Sequence, residues 1–557
     1  MDIQQKMKGS EFIAKTLRAY GITHVFFMEA MLRHTLVMLE KLGVRRVLTH
    51  SEKAAAYMAD GYARASRRVG VCFAQSVGAA NMASGLQDAF LAHVPVLAIT
   101  GQKLPIFQHR NAYQELIHQP LFASVTKYNV SLTEPDQLPL YLRQAFREAT
   151  SGRPGPVHID MPNHMGFFID NSIITDEPIV EERFASIPAY RVPPCQDNIA
   201  EAVRELLAAK RPVIVVGGGA VFSDAGAEVT ALAELLDIPV AVSVDGKGTI
   251  VDSHPLSLGP VGHYARKCCN EIVSQADLVL YIGCSVGDQV TSDWTIPAKG
   301  TRIIQIDIEP VELGRNYPNT LGVLGDAKAA VAAMIKTAGV KRANPVWADK
   351  AAQTVAGWRK ELEPLFASDA IPIRTERLCR ELERVLPKDA VLVSDTGFSA
   401  IWTSAMINLN YSTQRYIRAT GGSLGWAFPA ALGAKCAVGN RPVVCFTGDG
   451  GFWYHLAEME TAVRHNIATV TVLNNNGGFG QCRRGIRKAY GDGQGRMQDL
   501  YEFTPVNFAN LAREIGCHAT RVDKPTDIGL AIQDALKSGK PAVVEILTDI
   551  ECSPWGG

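Results

Sequence analysis

From about residue 10 to 165, segments with helix-like apolar spacing alternate with short apolar runs such as Val71-Cys72-Phe73-Ala74 and Val94-Pro95-Val96-Leu97-Ala98-Ile99. Alternation of this kind predicts a mostly parallel sheet covered by helices. Three prolines interrupt it in Ile187-Pro188-Ala189-Tyr190-Arg191-Val192-Pro193-Pro194, where lost backbone donors favour an extended linker. A second unit follows, with predicted strands at Val213-Ile214-Val215-Val216, Leu278-Val279-Leu280-Tyr281 and Ile303-Ile304-Gln305-Ile306-Asp307-Ile308. After a polar, helix-prone connector a third unit carries strands at Val391-Leu392-Val393, Val443-Val444-Cys445-Phe446, Thr469-Val470-Thr471-Val472-Leu473 and Ala542-Val543-Val544-Glu545-Ile546. The expected fold is α/β: three doubly wound parallel-sheet domains over residues 1–170, 190–340 and 365–557. The 557-residue length fits this division, and no tandem repeat or low-complexity tract disturbs it.

Composition narrows the function. Hydrophobic residues make up 47% and charged residues 20%, as in globular proteins, and Lys+Arg and Asp+Glu both number 56, for a net charge of zero. With no basic run, nucleic acid is not an expected partner; a small-molecule substrate is. Met1 to Phe12 lacks an apolar signal core, and no stretch of roughly 18 apolar residues occurs, so no membrane partner and a cytoplasmic location are expected. The 11 cysteines are scattered without a C-x-x-C pair and read as reduced, mostly buried thiols.

The candidate chemistry begins at Gly448-Asp449-Gly450-Gly451, directly after an apolar strand and before the helix-like stretch from Tyr454 to His465. A glycine-rich strand-to-helix turn exposes backbone N–H groups that cradle phosphate, and an aspartate within it adds a hard oxygen ligand suited to Mg²⁺. One helix and one strand later, Asn474-Asn475-Asn476-Gly477-Gly478 can supply an amide oxygen and a backbone carbonyl to the same ion. Further segments of note are Ser394-Asp395-Thr396-Gly397, the helix-like run from Ser51-Glu52-Lys53 through Gly61-Tyr62-Ala63-Arg64, and Arg418-Ala419-Thr420-Gly421-Gly422-Ser423-Leu424-Gly425. Gln75-Ser76-Val77-Gly78-Ala79-Ala80-Asn81 and Asn111-Ala112-Tyr113-Gln114-Glu115 complete the set.

In order and content these motifs resemble, along nearly the whole chain, the acetolactate synthase-like family of thiamine-diphosphate enzymes. That family includes acetohydroxyacid synthases, pyruvate oxidase, benzoylformate decarboxylase, benzaldehyde lyase and oxalyl-CoA decarboxylase. The resemblance implies a pyrimidine-binding domain, a central domain and a diphosphate-binding domain, in that order. It implies thiamine diphosphate and Mg²⁺ as cofactors, with Asp449 and Asn476 as side-chain metal ligands and the Gly478 carbonyl as a third. Asn475 with the Gly477 carbonyl is the alternative if the strand ends one residue earlier. Thr396, Gly397, Gly448, Gly450 and Gly451 then surround the diphosphate. Glu52 becomes the activating acid at N1′ of the aminopyrimidine, the Gly422 carbonyl accepts from the 4′-amino group, and Leu424 wedges between the two rings. Gln114 falls in the family's A-F-Q-E motif and is an expected active-site polar group.

Two departures bear on the substrate. Where many relatives carry a glycine- and proline-containing turn, this chain has Val25-Phe26-Phe27-Met28-Glu29-Ala30-Met31, and Glu29 is a candidate substrate-side acid or base beside the readings of helix N-terminal acid and surface carboxylate. Val77 stands where proline is frequent. His93, His118 and His455 are candidates for a second acid/base, although single histidines are more often structural. In the central unit, Val215-Val216-Gly217-Gly218-Gly219-Ala220 lacks the full G-x-G-x-x-G spacing. Relatives bind FAD, an adenine nucleotide or nothing there; CoA is a further candidate occupant, and FAD is not favoured here. The leading expectation is a carboligase, lyase or decarboxylase acting on a 2-oxo acid, a 2-hydroxy ketone, an aldehyde or an acyl donor. A 2-hydroxyacyl-CoA lyase or oxalyl-CoA decarboxylase-like enzyme is the alternative. A nucleotide-binding oxidoreductase or a non-catalytic homologue are readings of other classes. The resemblance also implies a homodimer as the smallest competent unit, and a homotetramer beyond it.

Overall fold

The computed structural model describes residues 6–29, 31–339, 344–491, 493 and 495–554. Met1–Gln5 of the N-terminal reading and Ala30 beside Glu29 lie outside the described residues. Three six-stranded sheets, parallel throughout, form one per domain and carry helices on both faces. Inner strands such as Gly70–Gln75, Pro212–Val216 and Val443–Gly448 are buried along nearly their whole length, which is why the sequence shows continuous apolar runs there instead of alternation.

In the first sheet the strand order is Arg45–Leu48, His24–Phe27, Gly70–Gln75, Val96–Gln102, Val157–Pro162, Tyr128–Ser131. The third sheet repeats this topology with Arg415–Arg418, Val391–Ser394, Val443–Gly448, Val470–Asn475, Ala542–Leu547 and His518–Val522. In both, the first strand of the domain lies between the second and third, so the chain reverses direction beside it and leaves a crevice at the strands' carboxyl ends. The central sheet differs: Ser257–Pro260, Val240–Val242, Pro212–Val216, Leu278–Ile282, Arg302–Asp307, Leu321–Leu324 is the 3-2-1-4-5-6 doubly wound order. A short antiparallel pair, Met7–Lys8 with Ile173–Ile174, ties the start of the first domain to its end.

The outer domains are joined by the helices Glu52–Ser66 and Ala427–Val438. Small residues allow the contact: a Cβ on Gly61 would lie 2.0 Å from the Ala430 carbonyl oxygen, and one on Gly433 would lie 1.9 Å from that of Met58. The alanine-rich faces around them belong to one core shared by both domains. The expected helix over Tyr454–His465 is broken in the structure. Asp449–Phe452 forms one turn, Trp453–His455 a 3-10 turn, and Glu458–Arg464 the helix proper. The connector between the second and third domains is the helix Pro345–Phe366.

Candidate active site

Ser394 and Gly448 end the two strands that flank the reversal point of the third sheet, so Asp395-Thr396-Gly397 and Gly448–Gly451 leave it side by side. Gly448 also lies opposite Asn474 on the next strand, which brings the asparagine turn to the same edge. Asp449 is 2% exposed. Burial pushes its carboxyl up to about 7, while the backbone N–H groups of Gly450, Asn476 and Gly477 pull the other way. The turns of the predicted metal site therefore meet at this carboxylate. Among the described residues, no group of three His, Cys, Asp or Glu side chains is arranged to hold a metal ion. A cation here would instead be held by one carboxylate with amide and carbonyl oxygens, the hard donor set that suits Mg²⁺.

The asparagines are not equivalent. Asn474 is buried, and its Oδ1 accepts from Thr548 at 2.5 Å. Asn475 donates from Nδ2 to Glu545 Oε1 at 2.7 Å and accepts from the Gly477 N–H at 3.1 Å. Asn476 accepts from the Gly478 N–H at 3.2 Å. The Gly478 carbonyl accepts from Gly480, and the Gly477 carbonyl from Phe503.

Asp395, which sequence reasoning passed over, ties the turns together. One carboxylate oxygen accepts from the Thr396 N–H at 2.8 Å and the Gly425 N–H at 3.1 Å, and the other from the Thr447 hydroxyl at 2.8 Å. Burial raises it to about 6 against these donors. A Cβ on Gly451 would stand 2.5 Å from the same carboxylate, so only glycine fits there. The signal was present in Ser394-Asp395-Thr396-Gly397: an acid directly after a strand and before a glycine. Gly397 carries a φ of 63° and Gly422 one of 81°, both left-handed. Leu424 is half-buried beyond Gly422.

In the first domain, the strand ends bring a second group together. Ser51 caps the Glu52–Ser66 helix by accepting from the Ala54 N–H at 3.1 Å, which fixes where Glu52 begins it. Asn81 donates to Glu52 Oε2 at 2.8 Å, and a Cβ on Gly78 would lie 2.4 Å from Oε1. Ser76, on the loop leading to Gly78, donates to the Gln114 carbonyl. Gln114 has a φ of 61°, a strained conformation for a non-glycine residue. Glu29 gives both carboxylate oxygens to Arg33, at 2.6 and 3.1 Å, on an exposed surface. The candidate histidines are dispersed. His118 accompanies Asp160 at 3.0 Å in the interior, His455 packs edge-on against Tyr57, and His93 lines the central cavity.

Glu52, Asn81, Ser76 and Gln114 thus form one group, and Asp395, Thr396, Gly397, Asp449 and the asparagine turn another. Among the described residues, no hydrogen bond or ion pair joins Glu52 to Asp449, Asn476 or Gly422. A cavity among the described residues lies at neither group. It holds about 1190 Å³ at the reversal point of the central sheet, lined by Gly217–Gly219, Asp245, Gln289, Asp307 and Arg418. Gly217 and Gly219 spend their N–H groups there on the Ile282 and Gly283 carbonyls.

Comparison with known proteins adds three matches in the same order. Residues 7–121 match the thiamine pyrophosphate enzyme N-terminal TPP binding domain, residues 199–334 the central domain, and residues 395–546 the C-terminal TPP binding domain. A probable acetolactate synthase large subunit of Methanocaldococcus jannaschii is 32% identical, covering 98% of this chain and 92% of its own length. A glyoxylate carboligase of Escherichia coli O157:H7 is 31% identical, covering 98% and 93%. A sulfoacetaldehyde acetyltransferase of Castellaniella defragrans is 30% identical, again covering 98% and 93%.

Proposed function

The chain belongs to the thiamine pyrophosphate enzymes of the acetolactate synthase-like type, and from that premise we propose that it joins or cleaves carbon–carbon bonds of a short 2-oxo acid or aldehyde at the site built on Glu52 and Asp449. It is a thiamine-diphosphate-dependent carboligase or decarboxylase. Thiamine diphosphate, when bound, supplies a thiazolium carbon that adds to carbonyls and acts as an electron sink. The protein's part is to bind, orient and move protons. Glu52 holds the proton at the aminopyrimidine nitrogen, fixed for that task by Asn81. The Gly422 carbonyl would accept from the cofactor's amino group, and the Leu424 side chain would pack against its rings.

The observation that carries this reading is Asp449, a buried carboxylate at a strand-to-helix turn with the second turn's amides around it. It fits a cation bound between protein and diphosphate. Of the two asparagine assignments we favour Asn475 with the Gly477 carbonyl over Asn476 with Gly478. Glu545 fixes the Asn475 amide nitrogen, and a ligand oriented from behind is the better-prepared donor. Thr396, Gly397, Gly448, Gly450 and Gly451 face the diphosphate in this reading.

A second copy of the chain would complete the site. The loop bearing Gln114 exposes Ile106, Tyr113 and Ile117 at 71%, 77% and 65%, a patch suited to burial against a partner. This supports the homodimer, with the homotetramer as its doubling; an active monomer in sedimentation at assay concentration would refute both. For the central cavity we assign no flavin, because the glycine turn's N–H groups at Gly217 and Gly219 are already used. The visible spectrum of the purified protein checks this. No described helix is long and apolar enough to cross a membrane, and a cytoplasmic location is part of the proposal.

Incubation of the Mg²⁺- and thiamine-diphosphate-loaded enzyme with 2-oxo acids, aldehydes and 2-hydroxyacyl-CoA esters, read by mass spectrometry, tests the substrate class. Coupling or carbon dioxide loss from 2-oxo acids supports the proposal. Turnover of acyl-CoA esters alone would move the chain to the 2-hydroxyacyl-CoA lyase or oxalyl-CoA decarboxylase-like reading. Glu29→Gln asks whether that residue acts on substrate: unchanged turnover leaves it as Arg33's surface partner.

A further inference from the structure

The glycine turn from Thr420 to Gly425 has little rigidity of its own. Gly421 and Gly422 are consecutive and exposed, and glycines give the backbone its widest freedom. Its geometry is imposed from outside, by a carboxylate of a different domain. Asp88, fully buried in the Gly78–Leu91 helix, accepts from the Thr420 N–H at 2.9 Å with one oxygen and from the Ser423 N–H at 3.4 Å with the other. The first oxygen also accepts from Arg64 at 2.9 Å. Arg64 is itself buried, paired with both oxygens of Asp60 at 2.7 and 2.9 Å, bonded to the Arg418 carbonyl at 2.8 Å, and stacked 4.6 Å above the Trp426 ring. Trp426 donates to Asp60 at 2.8 Å, so the far end of the turn closes on the same cluster.

Two further bonds fix the flanks. The Thr420 hydroxyl donates to Asp245 of the central domain at 2.7 Å, and the Gly425 N–H donates to Asp395. Gly422 and Leu424 lie between these anchored neighbours, and the Gly422 N–H makes only a long 3.4 Å bond to the Ala419 carbonyl.

We propose that Asp88, with Arg64 as its counter-ion, is a positioning residue for the reaction: it holds the Thr420 and Ser423 amides so that the Gly422 carbonyl and the Leu424 side chain present a fixed shape to the cofactor. This rests on the reading of Gly422 and Leu424 as the thiamine-facing groups. A carboxylate suits the task because it only accepts, and here it serves three donors; asparagine of the same shape has one accepting oxygen and would turn an NH₂ towards a donor. Charge-assisted bonds in a buried network are also the stronger kind.

Amide hydrogen exchange of the apoprotein, followed by mass spectrometry over residues 418–426, reads the strap directly. In the parent protein the Thr420 and Ser423 amides are protected without cofactor; an unprotected turn would overturn the proposal with no variant needed. Asp88→Asn speeds exchange in that segment about tenfold or more, the size of one lost charge-assisted bond, and leaves the 443–452 segment unchanged. Arg64→Lys keeps the charge, cannot span Asp60, Asp88 and the Arg418 carbonyl, and loosens the same segment. In the loaded enzyme, Asp88→Asn slows exchange of the thiazolium C2 proton about tenfold.

Leu424→Ala separates the two claims. If it slows C2 exchange and Asp88→Asn does not, positioning by Asp88 is wrong and the thiamine-facing turn stands. If both variants exchange at the parent rate although the turn has loosened, the thiamine-facing reading fails and takes the positioning role with it.

Discussion

Asn81 donates its side-chain N–H to Glu52 Oε2 at 2.8 Å, linking the first turn of one helix to the first turn of the next. On the other side, Gly78 leaves room for Oε1 that no larger residue would leave. The candidate activating acid is thus held by a donor and by a missing side chain.

Asn81→Ala is predicted to slow C2-proton exchange roughly tenfold to a hundredfold, as expected for one lost hydrogen bond to a charged group, with cofactor affinity nearly unchanged. Gly78→Ala, whose Cβ would displace the carboxylate, should slow it at least as much. Deuterium exchange at C2, followed by NMR, measures both. Parent rates in both variants would show that the Glu52 carboxylate needs no fixing.

Asp449→Ala should weaken Mg²⁺-dependent thiamine diphosphate binding by roughly a hundredfold or more, because the diphosphate would lose its bridging cation. Calorimetry with and without chelator checks it. Asn475→Ala should come close to that loss, and Asn476→Ala should fall well short of it. The reverse order would return the ligand role to Asn476 and Gly478.

His455 supplies a pH dependence of stability. Burial first, and Lys53 second, lower it from 6.5 to about 4 in the folded protein. Between those values the unfolded chain binds more protons than the folded one, so this stability contribution is full above pH 6.5 and is lost as pH falls towards 4. The loss is on the order of 3 kcal/mol by that point. His455→Phe keeps the ring against Tyr57 and removes the proton, so the apoprotein's denaturant midpoint should fall less steeply with acid in the variant. Equal slopes would show that His455 does not titrate in this way.

The packing of the outer domains predicts a stability defect. Gly61→Ala places a methyl group against the Ala430 carbonyl in the shared core and should cost about 1–3 kcal/mol or more, read as a lower thermal midpoint. An unchanged midpoint would mean that the two helices separate freely.

The sequence was legible where burial is two-sided. Strands such as Val213–Val216 and Val443–Phe446 are apolar along their length because helices cover both faces of the sheet, so position and type could be read directly. Tyr454–His465 was harder: its apolar spacing suits one helix, but the chain turns through a 3-10 segment at Trp453–His455 first. The turns proposed to hold phosphate and metal were visible as turns in the sequence because glycine, aspartate and asparagine at strand ends are a local pattern. Asp395 shares that local pattern, but its bonds to Gly425 and Thr447 did not show, and neither did Asp88, which acts through the distant Arg64, Thr420 and Ser423. The exposed ion pair of Glu29 with Arg33, four residues on, likewise has no signature that separates it from a substrate-facing acid.

The central claim is that Glu52 drives cofactor activation, and Glu52→Gln tests it most directly. The amide preserves shape but cannot share the proton at the aminopyrimidine nitrogen. With Mg²⁺ and thiamine diphosphate bound, the variant should retain cofactor affinity within a few fold by calorimetry, while C2-proton exchange slows by orders of magnitude. Exchange in Glu52→Gln as fast as in the parent enzyme would contradict the account.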